Sequence, residues 1–298
     1  MNSLSNVVVG IATAGRREQL ALTLSTLARQ RSLPRRVVIC PARPDDFDTA
    51  QAANLPFPVG VVLGPRGLCA QRNAILRGCP DADLVIMFDD DFYPAPDYVL
   101  QARLLFACQP EIVLATNHPP LDGATSAGVA HADALAAVER FESEPVEGPT
   151  LTETYAGYGC NMVIRMKHVR DNGLWFDENL PLYSWLEDVD FSRRLAPYGR
   201  IVACSALRGV HLGTKRGRTS GVRLGYSQIA NPLYMLKKGS LSLPYALRQM
   251  ARNVSKNTLR ALWPEPWVDR AGRFRGNTIA LAHLLSGRLH PRNATELP

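Results

Sequence analysis

Three consecutive aspartates, Asp89, Asp90 and Asp91, follow the apolar run Leu84-Val85-Ile86-Met87-Phe88 and precede Phe92-Tyr93-Pro94-Ala95-Pro96. Carboxylates packed within one turn repel one another unless a cation sits among them. Oxygen ligands without cysteine favour a hard divalent ion, Mg or Mn, and Mg sites commonly include substrate phosphates. A solvated acidic loop tip is the plain alternative, and position argues against it. A run so apolar reads as a strand buried on both faces, and open α/β sheets bind ligands beyond the carboxyl ends of their strands. The first expectation is a metal site that holds a phosphorylated substrate.

A second constellation is Trp185-Leu186-Glu187-Asp188-Val189-Asp190-Phe191-Ser192-Arg193-Arg194. Early acids and late arginines suit the dipole of a helix and need no function. Trp185 and Tyr183, however, set an aromatic wall beside the acids, as a sugar site does, and desolvation makes a carboxylate more basic. One of these acids is expected to be catalytic.

Other segments offer weaker signals. Thr13-Ala14-Gly15-Arg16-Arg17 ends a strand in small residues and would let backbone approach a ligand. Neither GxGxxG nor GxxxxGK[ST] is present, which argues against a dinucleotide fingerprint or a P-loop. Gly64 to Asn73 opens a helix, and Arg72 near its amino terminus suits phosphate as well as an ordinary polar position. His211 precedes Gly213-Thr214-Lys215-Arg216-Gly217-Arg218. Its imidazole suits Mn, although a histidine beside a turn is equally a structural residue, and the basic residues are equally a solvated loop.

Strands over 6–12, 37–40, 59–63, 83–88, 111–116, 161–165 and 200–204 must position these groups, with 200–210 strand-like throughout. Helices are expected over 17–31, 67–77, 97–108, 130–142 and 187–196. The alternation predicts an α/β fold with a parallel or mostly parallel doubly wound sheet. Residues 117–155, rich in Pro, Gly, Ala and acids, read as a mobile excursion over it.

The chain has 298 residues, enough for one large domain or two small ones, and a net charge of +7. Residues 237–298 carry eleven Lys/Arg against three Asp/Glu, a net +8, while residues 1–236 carry 23 against 24, a net −1. The asymmetry predicts a boundary near residue 237 and an anionic partner for the tail. Arg248, Arg252, Lys256 and Arg260 form an i, i+4 ladder beside an apolar stripe of Leu247, Met250, Ala251, Val254, Thr258, Ala261 and Leu262. Such a basic helix over 243–262 either lies on an anionic bilayer or packs its apolar stripe on the core. The six cysteines lack metal-ligand spacing and read as reduced core residues. No basic leader and no apolar run near ~20 residues is visible. The expected location is the cytoplasm, with peripheral attachment to the inner face of the cell membrane.

Taken in order, Val9-Gly10-Ile11-Ala12-Thr13, the segment Gly67 to Asn73, Asp89-Asp90-Asp91, Gly159-Cys160-Asn161-Met162 and Glu187-Asp188 resemble the family 2 inverting glycosyltransferases with the GT-A fold. The resemblance spans roughly residues 6–215. It implies a GT-A catalytic domain over 1–236, a mostly parallel central sheet flanked by helices, and a basic helical extension over 237–298. It further implies Asp91 as the DxD acid on a divalent ion, Mn or Mg, with His211 completing that site. Thr13, Ala14, Arg16, Arg72, Asp89, Asp90, Lys215 and Arg218 would line the nucleotide-sugar site. Asp188 would be the general base, Glu187 would orient hydroxyls, and Trp185, Asn161 and Gly159 would border the sugar or acceptor pocket. The donor would most naturally be a UDP-sugar, and the acceptor a saccharide, free or lipid-linked, in a bacterial polysaccharide pathway. One departure stands out: Cys40 ends strand two where the family has an aspartate on the nucleobase, leaving Asp45 or Asp46 as substitutes from the loop.

Two rivals follow from the same residues. The aspartates could serve a nucleotidyltransferase or phosphatase, although a haloacid dehalogenase phosphatase would want Thr or Val near 93 and an earlier Asp-x-Asp. The basic tail could bind nucleic acid, but that would leave the aspartates unexplained, so no nucleic-acid partner is expected.

Overall fold

The computed structural model of the chain describes residues 4–144, 146, 148–216 and 219–298. The first half reads β1 (Val7–Thr13), α1 (Arg17–Leu27), β2 (Arg36–Pro41), β3 (Val59–Val61), α2 (Leu68–Arg77), β4 (Leu84–Asp89), β5 (Phe92–Pro94), α3 (Tyr98–Cys108), β6 (Ile112–Thr116), β7 (Leu121–Asp122) and α4 (His131–Ser143). The second half adds β8 (Leu151–Glu153), β9 (Asn161–Arg165), α5 (Met166–Asp171), α6 (Glu187–Leu195), β10 (Arg200–Cys204), β11 (Gly209–His211), α7 (Gly221–Lys238), α8 (Leu243–Arg260) and α9 (Arg270–Leu285).

Eight strands form one sheet in the order β3-β2-β1-β4-β9-β6-β10-β8, and β5-β11-β7 form a smaller one. Apolar runs became strands buried on both faces, since alternate side chains point to opposite sides. Val7, Val9, Ile11, Ile86 and Phe88 pack with Leu20 and Leu24 of α1 and with Val99 and Phe106 of α3. Val8, Val85 and Met87 pack on the other face with Ile75 of α2 and Phe191 of α6. Gly10 lets α2 press close, for a Cβ there would stand 2.5 Å from the Ile75 Cγ2.

The sheet is mixed, because β9 runs antiparallel to both β4 and β6. Its register pairs Phe88 with Asn161. The chain therefore enters β9 at the edge where β4 leaves, which carries Gly159 and Cys160 to the side of Asp89.

Directly after the aspartates, β5 pairs antiparallel with β11. Two expectations need correction. The stretch 200–210 is broken into β10 and β11, which belong to different sheets. The supposed mobile excursion folds into β7, α4 and β8, with Ala134, Ala137 and Val138 buried against Tyr93, Val210 and Leu212. A helix was legible there, but its packing surface comes from strands too short to leave a pattern.

Beyond the sheet, α7, α8 and α9 pack together around a buried polar network. Asn257 Nδ2 donates to Gln228 Oε1 at 2.8 Å and to Asn277 Oδ1 at 2.9 Å, and Arg270 Nη1 donates to Asn257 Oδ1 at 3.0 Å. Residue 237, where the charge balance changes, lies in the last turn of α7. Asp190 of α6, fully buried, ties this layer to the core by accepting from Ser240 Oγ at 2.5 Å and pairing with Lys238 at 2.7 Å. The apolar stripe expected on α8 splits, with Met250, Val254 and Ala261 half-buried while Leu247, Ala251, Thr258 and Leu262 are exposed. All six cysteines are free, and five are buried. Among the described residues no helix is long and apolar enough to cross a membrane.

Candidate active site

The carboxyl ends of β1, β4 and β11, the entry to β9 and the start of α6 converge at one edge of the sheet. Asp89 is the last residue of β4 and aligns with Ala12 of β1. Asp91 is buried, its Oδ2 accepting from the Thr214 N–H at 2.7 Å. Its Oδ1 is buried without a hydrogen-bond partner among the described residues and lies 3.4 Å from the His211 Nε2, which is 3.9 Å from the Asp89 Oδ2. Ligand atoms of Asp89, Asp91 and His211 all lie within 4.8 Å of one another.

This donor set fits a divalent ion. Two carboxylates and an imidazole suit Mn, and the orphaned Asp91 oxygen is a buried acceptor that an ion would satisfy. The His211 Nδ1 lies 2.9 Å from Asp122 Oδ1, and Asp122 Oδ2 accepts from Tyr158 Oη at 2.8 Å. A metal-bound histidine commonly gives its second nitrogen to a carboxylate, which fixes the ring and frees the other lone pair. Burial alone would lower the His211 pKa, but its hydrogen bond to Asp122 and the negative charge of Asp91 and Asp89 beside it outweigh that and raise it to about 10. Burial likewise opposes ionisation of Asp91, yet His211, Arg16 and the Thr214 N–H hold its pKa below the usual carboxylate value.

Asp90 has a different task. Its oxygens accept from Thr13 Oγ1 at 2.7 Å and Arg16 Nη1 at 2.8 Å, and its backbone carbonyl accepts from Thr23. Burial, opposed by Arg16 and reinforced by Asp91, raises its pKa to about 6. The charge of the middle aspartate is thus answered by Arg16. Arg16 also donates to the carbonyls of Thr214 and Arg216, bolting the loop after β11 to the loop after β1. Ala14 is half-buried in that β1 loop. Lys215 Nζ donates to the Gly123 carbonyl at 2.8 Å. Arg218 lies outside the described residues.

The acid pair at the start of α6 is joined to the aspartates by Arg72. This buried guanidinium donates to Glu187 Oε1 at 2.6 Å, to Asp89 Oδ1 at 3.2 Å and to the Gly159 carbonyl at 2.8 Å. The sequence left Arg72 open between a phosphate ligand and an ordinary polar position; its donors are turned to acids and a carbonyl of the chain. With three carboxylates and one guanidinium, burial pushes Glu187 up to about 8, the Asp188 charge adding and Arg72 opposing. Asp188 is half-buried, accepts from the Gly159 N–H at 3.0 Å, and has its pKa raised by burial. It is the more accessible acid and a stronger base than a surface aspartate. A Cβ on Gly159 would stand 3.2 Å from Glu187 Oε1 and 3.3 Å from Asp188 Oδ2, so this position favours glycine.

Asn161 corrects an expectation. Its fully buried side chain accepts from Thr116 Oγ1 at 2.6 Å and donates to the Asn117 carbonyl at 2.9 Å, which locks β9 to the end of β6. No side-chain surface remains for a sugar. Asp46 is also committed, accepting from the Gly15 and Arg43 N–H groups at 2.9 and 3.0 Å. Asp122 was not foreseen, since the short β7 carries no pattern, and only its pairing with β11 sets it beside His211.

Immediately before α6, Leu182, Ser184 and Leu186 take left-handed φ values of 61°, 55° and 69°. Non-glycine residues rarely adopt this region, and such strain clusters at functional sites. The zigzag leaves Tyr183 exposed and Trp185 half-buried, with the indole Nε1 buried and lacking a hydrogen-bond partner among the described residues.

No protein-family model matches the chain, and the comparison with curated proteins gives no match. Solved structures do resemble it. The mannosyltransferase PcManGT from Pyrobaculum calidifontis, in complex with GDP-Man and Mn2+, aligns over 97% of this chain and 85% of its own, with TM-score 0.57 and 16% identity. S. aureus TarS 1-349 in complex with UDP-GlcNAc aligns over 98% of this chain and 90% of its own, with TM-score 0.57 and 16% identity. At such identity the likeness is one of fold, so the chain shares the α/β architecture of these nucleotide-sugar-bound proteins.

Proposed function

We propose that the chain is a metal-dependent inverting glycosyltransferase of the family 2 type with GT-A organisation. It moves a sugar from a nucleotide-sugar donor, a UDP-sugar, to a saccharide acceptor, free or lipid-linked, in bacterial polysaccharide biosynthesis at the cytoplasmic side. Residues 1–236 are the catalytic domain and 237–298 the extension. The observation that carries this reading is the placement of the Asp89, Asp91 and His211 cluster beside Asp188, with Arg72 spanning the interval. The fold shared with PcManGT and TarS supports it.

Asp89, Asp91 and His211 would hold the divalent ion, which when bound neutralises charge on the departing nucleoside diphosphate. Asp122 fixes the His211 ring. Asp188 takes the proton of the acceptor hydroxyl as that oxygen attacks the anomeric carbon from the side opposite the leaving group, so the configuration inverts. Arg72, held by Glu187, positions Asp188 through Gly159, whose carbonyl accepts from Arg72 while its N–H donates to Asp188. Trp185, half-buried, supplies an apolar wall for the sugar. The Arg16-anchored loop over 213–216 covers the diphosphate side.

The test is turnover of UDP-, GDP- and dTDP-sugars with Mn and a saccharide acceptor, the product's anomeric configuration being read by NMR. The expected product is inverted relative to the donor. A retained configuration would contradict the role given to Asp188, and phosphate-ester cleavage without transfer would favour the phosphatase rival.

A further inference from the structure

We propose that α8 and the connector leading to α9 form a membrane-docking surface for an anionic lipid bilayer. In α8 the inward face is taken by Ala246, Met250, Val254 and Asn257, which pack towards α7, α9 and the core. Two parallel ladders remain on the outside. One runs through Leu243, Leu247, Ala251, Ser255 and Leu259, the other through Arg248, Arg252, Lys256 and Arg260, and every member of both is exposed.

The apolar ladder continues into the connector Leu262-Trp263-Pro264-Glu265-Pro266-Trp267. Leu259, Leu262 and Trp263 are 72%, 76% and 74% exposed, and Trp267 is 38% exposed. Large apolar side chains so bare and so close together mark an interaction site rather than ordinary surface. Two prolines fix the backbone that presents the tryptophans.

Charge selects the occupant. No acid occurs between residues 243 and 262. The connector's acids are engaged locally, Glu265 forming a bidentate pair with Arg270 at 2.8 and 3.1 Å and the exposed Asp269 capping α9 by accepting from the Gly272 N–H at 2.7 Å. Among the described residues the four basic side chains of α8 have no acid within ion-pair distance. The surface therefore asks for negative charge and apolar depth together. A nucleic-acid backbone would satisfy the arginines but leave Leu243, Leu247, Leu259 and Leu262 in water. A bilayer of anionic lipids satisfies both, with tryptophans at headgroup level and basic residues on the phosphates.

The surface is also joined to the site. Tyr245, in the first turn of α8, stacks on Tyr155 at 4.5 Å, and Arg193 of α6 lies over the Tyr155 ring, 4.5 Å from its centroid. Asp188 is near enough to raise the Tyr245 pKa, after burial. A bilayer along α8 would thus lie beside the catalytic acid and present a lipid-anchored acceptor to it. This last step rests on the transferase reading, whereas the docking itself does not.

The test uses the full chain and vesicles of phosphatidylcholine, alone or mixed with phosphatidylglycerol. Sedimentation should show binding to the mixed vesicles only. Leu262→Ser with Trp263→Ser should lower partitioning by roughly tenfold or more. Arg252→Gln and Lys256→Gln should each lower it by about fivefold at low salt, and less at high salt. Absence of binding to the mixed vesicles, or binding unchanged in the Leu262/Trp263 variant, overturns the proposal. So does duplex DNA that displaces the protein from vesicles, or a dimer that buries Trp263. Thermal shift by nucleoside diphosphate with Mn, measured on the same samples, separates the two readings: its loss with vesicle binding intact removes the transferase and leaves the docking surface.

Discussion

His211 and Asp122 face each other across the small sheet, Nδ1 to Oδ1 at 2.9 Å, although 89 residues separate them in the chain. The pairing fixes the imidazole so that Nε2 looks towards Asp89 and Asp91. It also gives the histidine beside the 213–216 loop a defined orientation. A carboxylate in this position typically strengthens a metal site by 10–100-fold when present. Asp122→Asn should therefore weaken Mn binding by about that factor, as titration calorimetry would show, with secondary structure intact. Unchanged affinity would remove His211 from the ligand set.

Asp188 and Glu187 should separate cleanly in kinetics. Asp188→Asn should lower kcat by about 10²–10⁴-fold, the usual contribution of a positioned base, while donor binding is kept. Equal losses of donor affinity and turnover would instead place Asp188 in the nucleotide site.

Glu187 gives a pH signature in stability. Its pKa is raised to about 8 in the folded protein from the ordinary 4.5, chiefly by burial. Between these values the folded state holds a proton that the unfolded chain has lost, so stability falls as pH rises through the window. The contribution is on the order of a few kcal/mol. Glu187→Gln keeps a neutral group and should flatten that part of the dependence of Tm on pH from 5 to 8. Parallel curves for the two proteins would show that Glu187 is ionised throughout.

Removing Arg72 should damage the fold itself. Arg72→Met strands Asp188 and Asp89 without their cation and Glu187 without its donor, and breaking a buried pair costs about 3–5 kcal/mol. Denaturant melts should show a loss of that size, reduced at low pH where the acids are neutral. A loss below about 1 kcal/mol would mean that the three carboxylates find another partner.

Local runs made much of this legible in advance. Asp89 to Asp91 follow a strand whose apolar residues could only be buried, and Glu187 and Asp188 open a helix whose dipole prefers them, so both groups could be placed from the chain alone. What escaped depends on distant pairing. Asp122 sits in a two-residue strand positioned by β11, and Arg72 stayed open between a phosphate ligand and an ordinary polar position because its acids lie 17 and 115 residues away. The left-handed residues Leu182, Ser184 and Leu186 carry no glycine to announce them. Asn161 is a site residue only by the resemblance carried in Gly159 to Met162, and strand alternation turns its side chain into the protein.

The most direct measurement is thermal-shift or calorimetric binding of UDP, GDP and dTDP with Mn, with Mg and with chelator, for the natural chain and for Asp91→Ala. Metal-dependent stabilisation by one nucleotide, UDP on this account, that vanishes in Asp91→Ala is the predicted result. Binding that ignores both chelator and Asp91→Ala, or no nucleotide binding under any condition, would contradict it.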